Sequence, residues 1–140
     1  QPIYTVYLQY PASVRLPCAM LGLHQRASQW LFDKGQIAHQ YGLIASVISA
    51  EGIHQNLTQD ELAQKVITEL LEEFGIADAP HWVKVIAEKR ATFCCTPNLS
   101  RPTQQTTLPH LLIAGDYTAG DYPATLEGAV LSGIKCANWI

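Results

Sequence analysis

The sequence predicts an α+β fold: a mainly antiparallel sheet with one helix packed on it, then a C-terminal strand, loop and helix. Three observations carry this. Runs rich in β-branched and aromatic residues recur through the first 95 positions, set apart by Pro and Gly. One stretch, Leu57 to Gly75, repeats apolar residues at helical spacing and carries a start and a stop signal. Near the C terminus an apolar run, Leu111–Ala114, ends in Gly115-Asp116 and leads into helix formers that begin with Pro123.

In chain order, Ile3–Tyr10 reads as a strand that Pro11 ends. Val14 to Ala27 follows no period, because Pro17 and Gly22 interrupt it; Met20, Leu21 and Leu23 cover a core or border an apolar channel. Gln29–Asp33 reads as a second strand closed by a Lys34-Gly35 turn, and Leu43–Ala50 as a third, near enough to pair antiparallel with it. Thr58 and Glu61 form a capping box for the long helix. Leu62, Val66, Leu70 and Phe74 make its apolar stripe, and Gly75 suits its C-terminal turn. Glu72 and Glu73 lie at the end where the helix dipole disfavours them. His81–Cys95 alternates as a long strand, in which Lys89 and Arg90 either guard an edge or reach a cofactor or partner domain. Thr96–His110, with three prolines, is long for a loop within one domain and reads as a crossing between two. The expected boundaries are therefore 1–95, 96–110 and 111–140.

Composition narrows the function classes. With 48% hydrophobic and 15% charged residues and a net charge of −3, the chain is ordinary and globular. No basic run argues for nucleic acid, and no apolar stretch nears the roughly 20 residues that span a bilayer. Cys18, Cys94, Cys95 and Cys136 fit no zinc spacing, and His24, His39 and His54 stand alone, so no metal site is expected. Unpaired, reduced cysteines suit a cytoplasmic protein.

The C-terminal stretch LLIAGDYTAGDYPATLEGAVLSG is where the chemistry concentrates. A buried strand, a glycine turn and a helix N-terminus bring backbone N–H groups to one place, where an anionic or carbonyl-bearing ligand can meet them. Small residues recur every four positions on adjacent helix rows, Ala129-Gly133-Ala137 and Ala124-Gly128-Ser132, and serve close packing or close approach of a ligand.

That stretch resembles the C-terminal FAD-contacting segment of the amine-oxidase and phytoene-desaturase flavoproteins. QWLFDKG at Gln29–Gly35, VISAEG at Val47–Gly52 and EKRATFCCTP at Glu88–Pro97, with Arg101-Pro102 after it, look like the squalene-associated FAD-dependent desaturases, or hydroxysqualene dehydroxylases. The resemblance implies that Gly115 and Asp116 lie near the ribityl and pyrophosphate of FAD. It implies that Pro123, Ala124, Thr125 and Leu126 form the first helical turn, with backbone donors toward the flavin pyrimidine edge. Glu127 falls inside the motif without an assigned contact. These flavoproteins hold the ADP half of FAD on a G-x-G-x-x-G turn, which is absent here. The expectation is thus the C-terminal portion of a longer enzyme, which binds FAD as a full-length protein and does not act alone. Its partners would be the N-terminal FAD-binding portion of the same chain, an apolar isoprenoid substrate and, with it, peripheral contact at a membrane. The poorly paired Leu111–Ala114 strand would also open the fragment to a second copy of itself. The implied reaction removes the hydroxyl of hydroxysqualene to give squalene, in hopanoid biosynthesis. The alternatives are a carotenoid (phytoene-type) desaturase, an amine oxidase, or a non-catalytic lipid- or protein-binding module.

Overall fold

The computed structural model describes residues 1–140, which divide into two compact units, Gln1–Ala91 and Thr92–Ile140. The first holds five strands: β1 (Ile3–Gln9), β2 (Met20–Gly22), β3 (Trp30–Asp33), β4 (Leu43–Ser49) and β5 (Trp82–Glu88). Their order across the sheet is β2-β3-β4-β1-β5, and every neighbouring pair is antiparallel. The expected α+β class with a mainly antiparallel sheet is what the chain adopts.

Alternation along the strands decides what the sheet buries. Val6, Leu8 and Tyr10 are 1% exposed or less. In register with β1, Ile44, Ser46 and Ile48 of β4 and Val83, Val85 and Ala87 of β5 share that face. The helix α2 (Gln59–Phe74) supplies Leu62, Ala63, Val66 and Leu70 to the same core. Its start is the expected capping box: Thr58 Oγ1 accepts from the Glu61 N–H at 3.2 Å, and Glu61 Oε2 accepts from the Thr58 N–H at 2.8 Å. Gly75 caps the other end at φ 67°.

Two long-range contacts tie α2 to the chain before β3. Glu69, only 3% exposed on the buried stripe, accepts from the Ala27 and Ser28 N–H groups at 2.7 and 2.9 Å. Glu72 and Glu73, unfavourable toward the dipole, are both bridged by Arg26 at 2.6 and 2.5 Å. The hydrogen bond to Glu73, opposed by desolvation and reinforced by the bond to Glu72, holds the Arg26 pKa above its ordinary value.

Several local expectations are corrected. The turn expected at Lys34-Gly35 opens a short helix, α1 (Lys34–Ala38), because Asp33 caps it by accepting from the Gly35 and Gln36 N–H groups. The segment without a period contains β2, a three-residue edge strand too short to show alternation. The strand expected over His81–Cys95 stops at Glu88, where Lys89 and Arg90 form an exposed turn.

In the second unit, Leu111–Ala114 is not a strand. A single bridge, Gln105 to Leu112, and one bond from the Ile113 N–H to the Gln104 carbonyl are its only ladder. An apolar run makes a strand only where a partner backbone runs alongside it, and within this unit only Gln104–Gln105 does. The helix α3 spans Leu126–Ala137. Pro123 therefore lies ahead of the helix and not in its first turn, because Thr125 takes the cap and accepts from the Gly128 N–H at 3.0 Å.

Candidate functional site

The loop from Gly115 to Tyr122 joins the bridge at Leu112 to α3, and its carbonyls are gathered by residues from the preceding segment. Arg101 donates through Nη1 to the Asp116 carbonyl at 3.3 Å and the Tyr122 carbonyl at 2.8 Å, and through Nη2 to the Gly120 carbonyl. Its guanidinium also sits 5.7 Å from the centroid of the Phe93 ring. Gln104, 1% exposed, donates to the Ala119 carbonyl at 2.9 Å and the Thr118 hydroxyl at 3.2 Å.

A hydroxyl pair fastens the loop to α3. Thr118 Oγ1 lies 2.6 Å from Ser132 Oγ and donates to the Gly115 carbonyl at 2.8 Å. Ser132 Oγ in turn accepts from the Gly115 N–H at 3.2 Å. Both hydroxyl residues are buried, so this network replaces water for polar groups that would otherwise be costly to bury.

The site residues read from the sequence fall as follows. Gly115 and Asp116 are half-buried at the start of the loop. A Cβ on Gly115 would lie 2.5 Å from the Tyr117 ring, so the glycine makes room for the loop's own tyrosine. Asp116 and Gly128 line one cavity of about 210 Å³, with Arg101, Gln104 and Lys135 around it. Pro123 lines a neighbouring cavity of about 260 Å³ with Phe93, Cys95 and Arg101. Ala124 and Thr125 are half-buried before the helix, while Leu126 is 89% exposed and lines neither cavity. Sequence reading missed Gln104, Thr118 and Ser132 as a network, and quoted Arg101 without a role; all four act at 14 to 28 residues' separation or on backbone atoms.

An α-helix leaves its first N–H groups without intrahelical partners. Here the Thr125 side chain takes that of Gly128 and the Thr125 carbonyl that of Ala129, which leaves Leu126 and Glu127 as donors. Gln104 Oε1 is a buried acceptor without a partner on the wall of the 210 Å³ cavity. Ligand pockets for whole small molecules run from about 300 to 1,000 Å³, so this cavity suits one part of a larger ligand. Arg101 and Lys135 face Asp116 and Asp121 on its wall, and with the unmet Gln104 acceptor they suit a polyhydroxyl portion of such a ligand; the open N–H groups of Leu126 and Glu127 lie outside the lining. No three His, Cys, Asp or Glu side chains come together in a way that could hold a metal ion.

The flavin containing amine oxidoreductase family model matches residues 1–140, the Gly115-Asp116 turn and α3 included. The chain belongs to that family. It is 32% identical over 122 residues to hydroxysqualene dehydroxylase of Sinorhizobium fredii, covering 85% of this chain and 28% of that protein. It is 30% identical to hydroxysqualene dehydroxylase of Rhodopseudomonas palustris over 141 residues, 99% of this chain and 32% of the relative. A 15-cis-phytoene desaturase of Glycine max is 34% identical over 92 residues, 59% of this chain and 16% of that enzyme. The chain spans under a third of the length of these relatives.

Proposed function

We propose that this chain supplies the C-terminal part of an FAD-dependent oxidoreductase that acts on an apolar isoprenoid, converting hydroxysqualene to squalene. The observation that carries the substrate class is the sheet face turned away from α2. An antiparallel sheet with one solvated face normally alternates apolar-in and polar-out. By register, Met20, Phe32, Ala45, Tyr7 and the exposed Lys84 form one row across that outer face, and Trp30, Val47, Thr5 and Ile86 the next. Met20, Trp30 and Ile86 are 52%, 44% and 50% exposed. An apolar patch of this kind, bounded on β5 by Lys84, marks a surface that something apolar covers, and a long hydrocarbon chain has the right chemistry.

FAD, once reduced by an external two-electron donor, would supply the two electrons that replace a C–O bond by C–H, with two protons taken up and water released. Gly115 and Asp116 would hold its ribityl and pyrophosphate portion, and the N–H groups of Leu126 and Glu127 at the start of α3 would face the flavin pyrimidine edge. The ADP half calls for a glycine-rich turn that lies outside these residues, so the flavin is held jointly with the remaining portion of the protein. Leu126, Val130 and Ile134 follow one row of α3 and are 89%, 58% and 52% exposed; that row is the surface for docking it. We further propose a cytoplasmic enzyme with peripheral contact at a membrane, because an apolar isoprenoid partitions there; no helix is long and apolar enough to cross one.

The test uses the full-length protein loaded with FAD and chemically reduced. Hydroxysqualene in detergent micelles should give squalene by mass spectrometry. Trp30→Asp with Ile86→Asp should raise KM without displacing flavin. Dehydrogenation of phytoene with a quinone acceptor, and no squalene formation, would instead favour the desaturase reading that the phytoene desaturase relatives support. Turnover of neither, or an unchanged KM in the double variant, would overturn the substrate assignment.

A further inference from the structure

We infer that Arg101 is the positioning residue of the Gly115–Tyr122 loop, and that its guanidinium, with Gln104 beside it, sets the backbone on which flavin binding depends. The inference rests on the flavin reading above for its ligand, and on geometry alone for the clamp. Within eight consecutive residues, five carbonyls are engaged on one side: Gly115 by Thr118, Asp116, Gly120 and Tyr122 by Arg101, and Ala119 by Gln104. The Ala119 N–H adds a bond to the Pro102 carbonyl at 2.8 Å, so backbone and side chains of 101–104 run along the whole loop.

Arg101 is suited to this because its guanidinium is a rigid planar fork with five donors, whereas a lysine is a point charge with three. It forms no ion pair; its polar partners are backbone carbonyls. Asp116 and Asp121 line the same cavity without taking it. Arginine held by neutral carbonyls keeps its full positive charge and fixes three points of a chain that has no regular secondary structure between Gly115 and Thr125. A loop so short of backbone–backbone bonds would otherwise sample many conformations, and ordering it on binding would cost affinity. The consequence of Arg101 is preorganisation: the loop is in place before the cofactor arrives.

The experiment compares the full-length protein with its Arg101→Ala and Arg101→Lys variants. Amide hydrogen exchange over 115–122 reads the clamp directly, and FAD titration followed by flavin fluorescence reads the ligand. The expected result is faster exchange confined to 115–122 in both variants, with FAD affinity lower by about tenfold or more, since binding must then order the loop. Millimolar guanidinium, and not equal sodium chloride, should restore both readouts in Arg101→Ala, which a general loss of fold would not show. Unchanged exchange in 115–122, or full FAD affinity in a loosened loop, would overturn the inference. If the parent protein binds no FAD, the flavin reading fails, while the exchange and rescue arms still decide whether Arg101 holds the loop. If Arg101→Ala does not fold, Arg101→Lys must show the loosened loop, and parental exchange there would refute the clamp.

Discussion

Replacing Asp33 should unseat the edge of the sheet that carries Met20, Trp30 and Phe32. Its carboxylate is 2% exposed and accepts four hydrogen bonds. Oδ2 takes the Leu16 N–H at 2.9 Å and Gln36 Nε2 at 2.8 Å; Oδ1 takes the Gly35 N–H at 2.9 Å and the Gln36 N–H at 3.1 Å. Leu16 is 3% exposed and Gly35 buried, so Asp33→Ala strands two N–H groups where water does not reach. Each costs about 1–3 kcal/mol and loss of the α1 cap adds to the total, giving about 3–5 kcal/mol. Asp33→Asn keeps the Oδ1 contacts but turns an NH₂ toward two donors, and should cost about 2–3 kcal/mol. In a unit of this size 1 kcal/mol moves Tm by about 4–8 °C, so the alanine variant should melt at least about 12 °C lower. Burial pushes the Asp33 carboxyl up, but bonds from the Gln36 side chain and the Leu16, Gln36 and Gly35 N–H groups outweigh it and hold the pKa below its ordinary value. A depressed folded pKa means that the stabilisation is full above the unfolded value of about 3.9 and is lost as pH falls through the folded one. Urea midpoints followed by tryptophan fluorescence at pH 7 and through pH 4 to 2 test both parts. A loss below about 1 kcal/mol in Asp33→Ala, or parallel acid limbs for parent and Asp33→Asn, would refute this account.

Two further outcomes follow from backbone and burial. Gly42 sits at φ 76°, and a Cβ there would strike the Tyr10 carbonyl and approach the Pro11 carbonyl oxygen at 2.6 Å; Gly42→Ala should lower stability by about 2–4 kcal/mol, read as a urea midpoint. His54 is 6% exposed, stacks edge-on at 5.0 Å against Tyr4, and has no partner on Nε2. Burial lowers its pKa, so the unfolded chain protonates first, and stability should begin to fall as pH drops below about 6.5. His54→Phe should flatten that limb between pH 7.5 and 5.5, and an unaltered limb would assign it to another group.

The sheet and its helix were legible because their signals are local. Thr58 with Glu61, the stripe from Leu62 to Leu70 and Gly75 all lie within one element, and β1, β3 and β4 declared themselves by composition. What escaped was set by partners far along the chain. Glu69 looks like a misplaced acid on an apolar stripe until Ala27 and Ser28 arrive 42 and 41 residues away; that misplacement is the one cue the sequence offered. Leu111–Ala114 erred the other way. Its apolar run satisfies the strand pattern, but pattern cannot supply a neighbouring backbone. At Pro123 the prediction favoured proline's fixed φ, while the side-chain oxygen of Thr125 decided the helix start. The motif residues themselves were legible only by resemblance, and Gln104 and Ser132 carry no local signal, since their partners lie up to 28 residues away.

The same loop explains why composition says so little about the site. Arg101 and Lys135 stand around the 210 Å³ cavity with Asp116 and Asp121, so the formal side-chain charges balance. A cavity of that kind does not select a ligand by net charge. Selection falls to the direction of backbone groups: five loop carbonyls are already satisfied, while the N–H groups of Leu126 and Glu127 stay open at the positive end of a 12-residue helix. Such a site is specified by small residues, by a threonine cap and by one arginine that faces inward to carbonyls. Under the proposed flavin reading, its chemistry would reside in the cofactor and in how firmly the backbone is held to meet it. Under the function proposed above, the apolar sheet face of the first unit would have a separate task, which is to hold a substrate that offers almost no polar handle of its own.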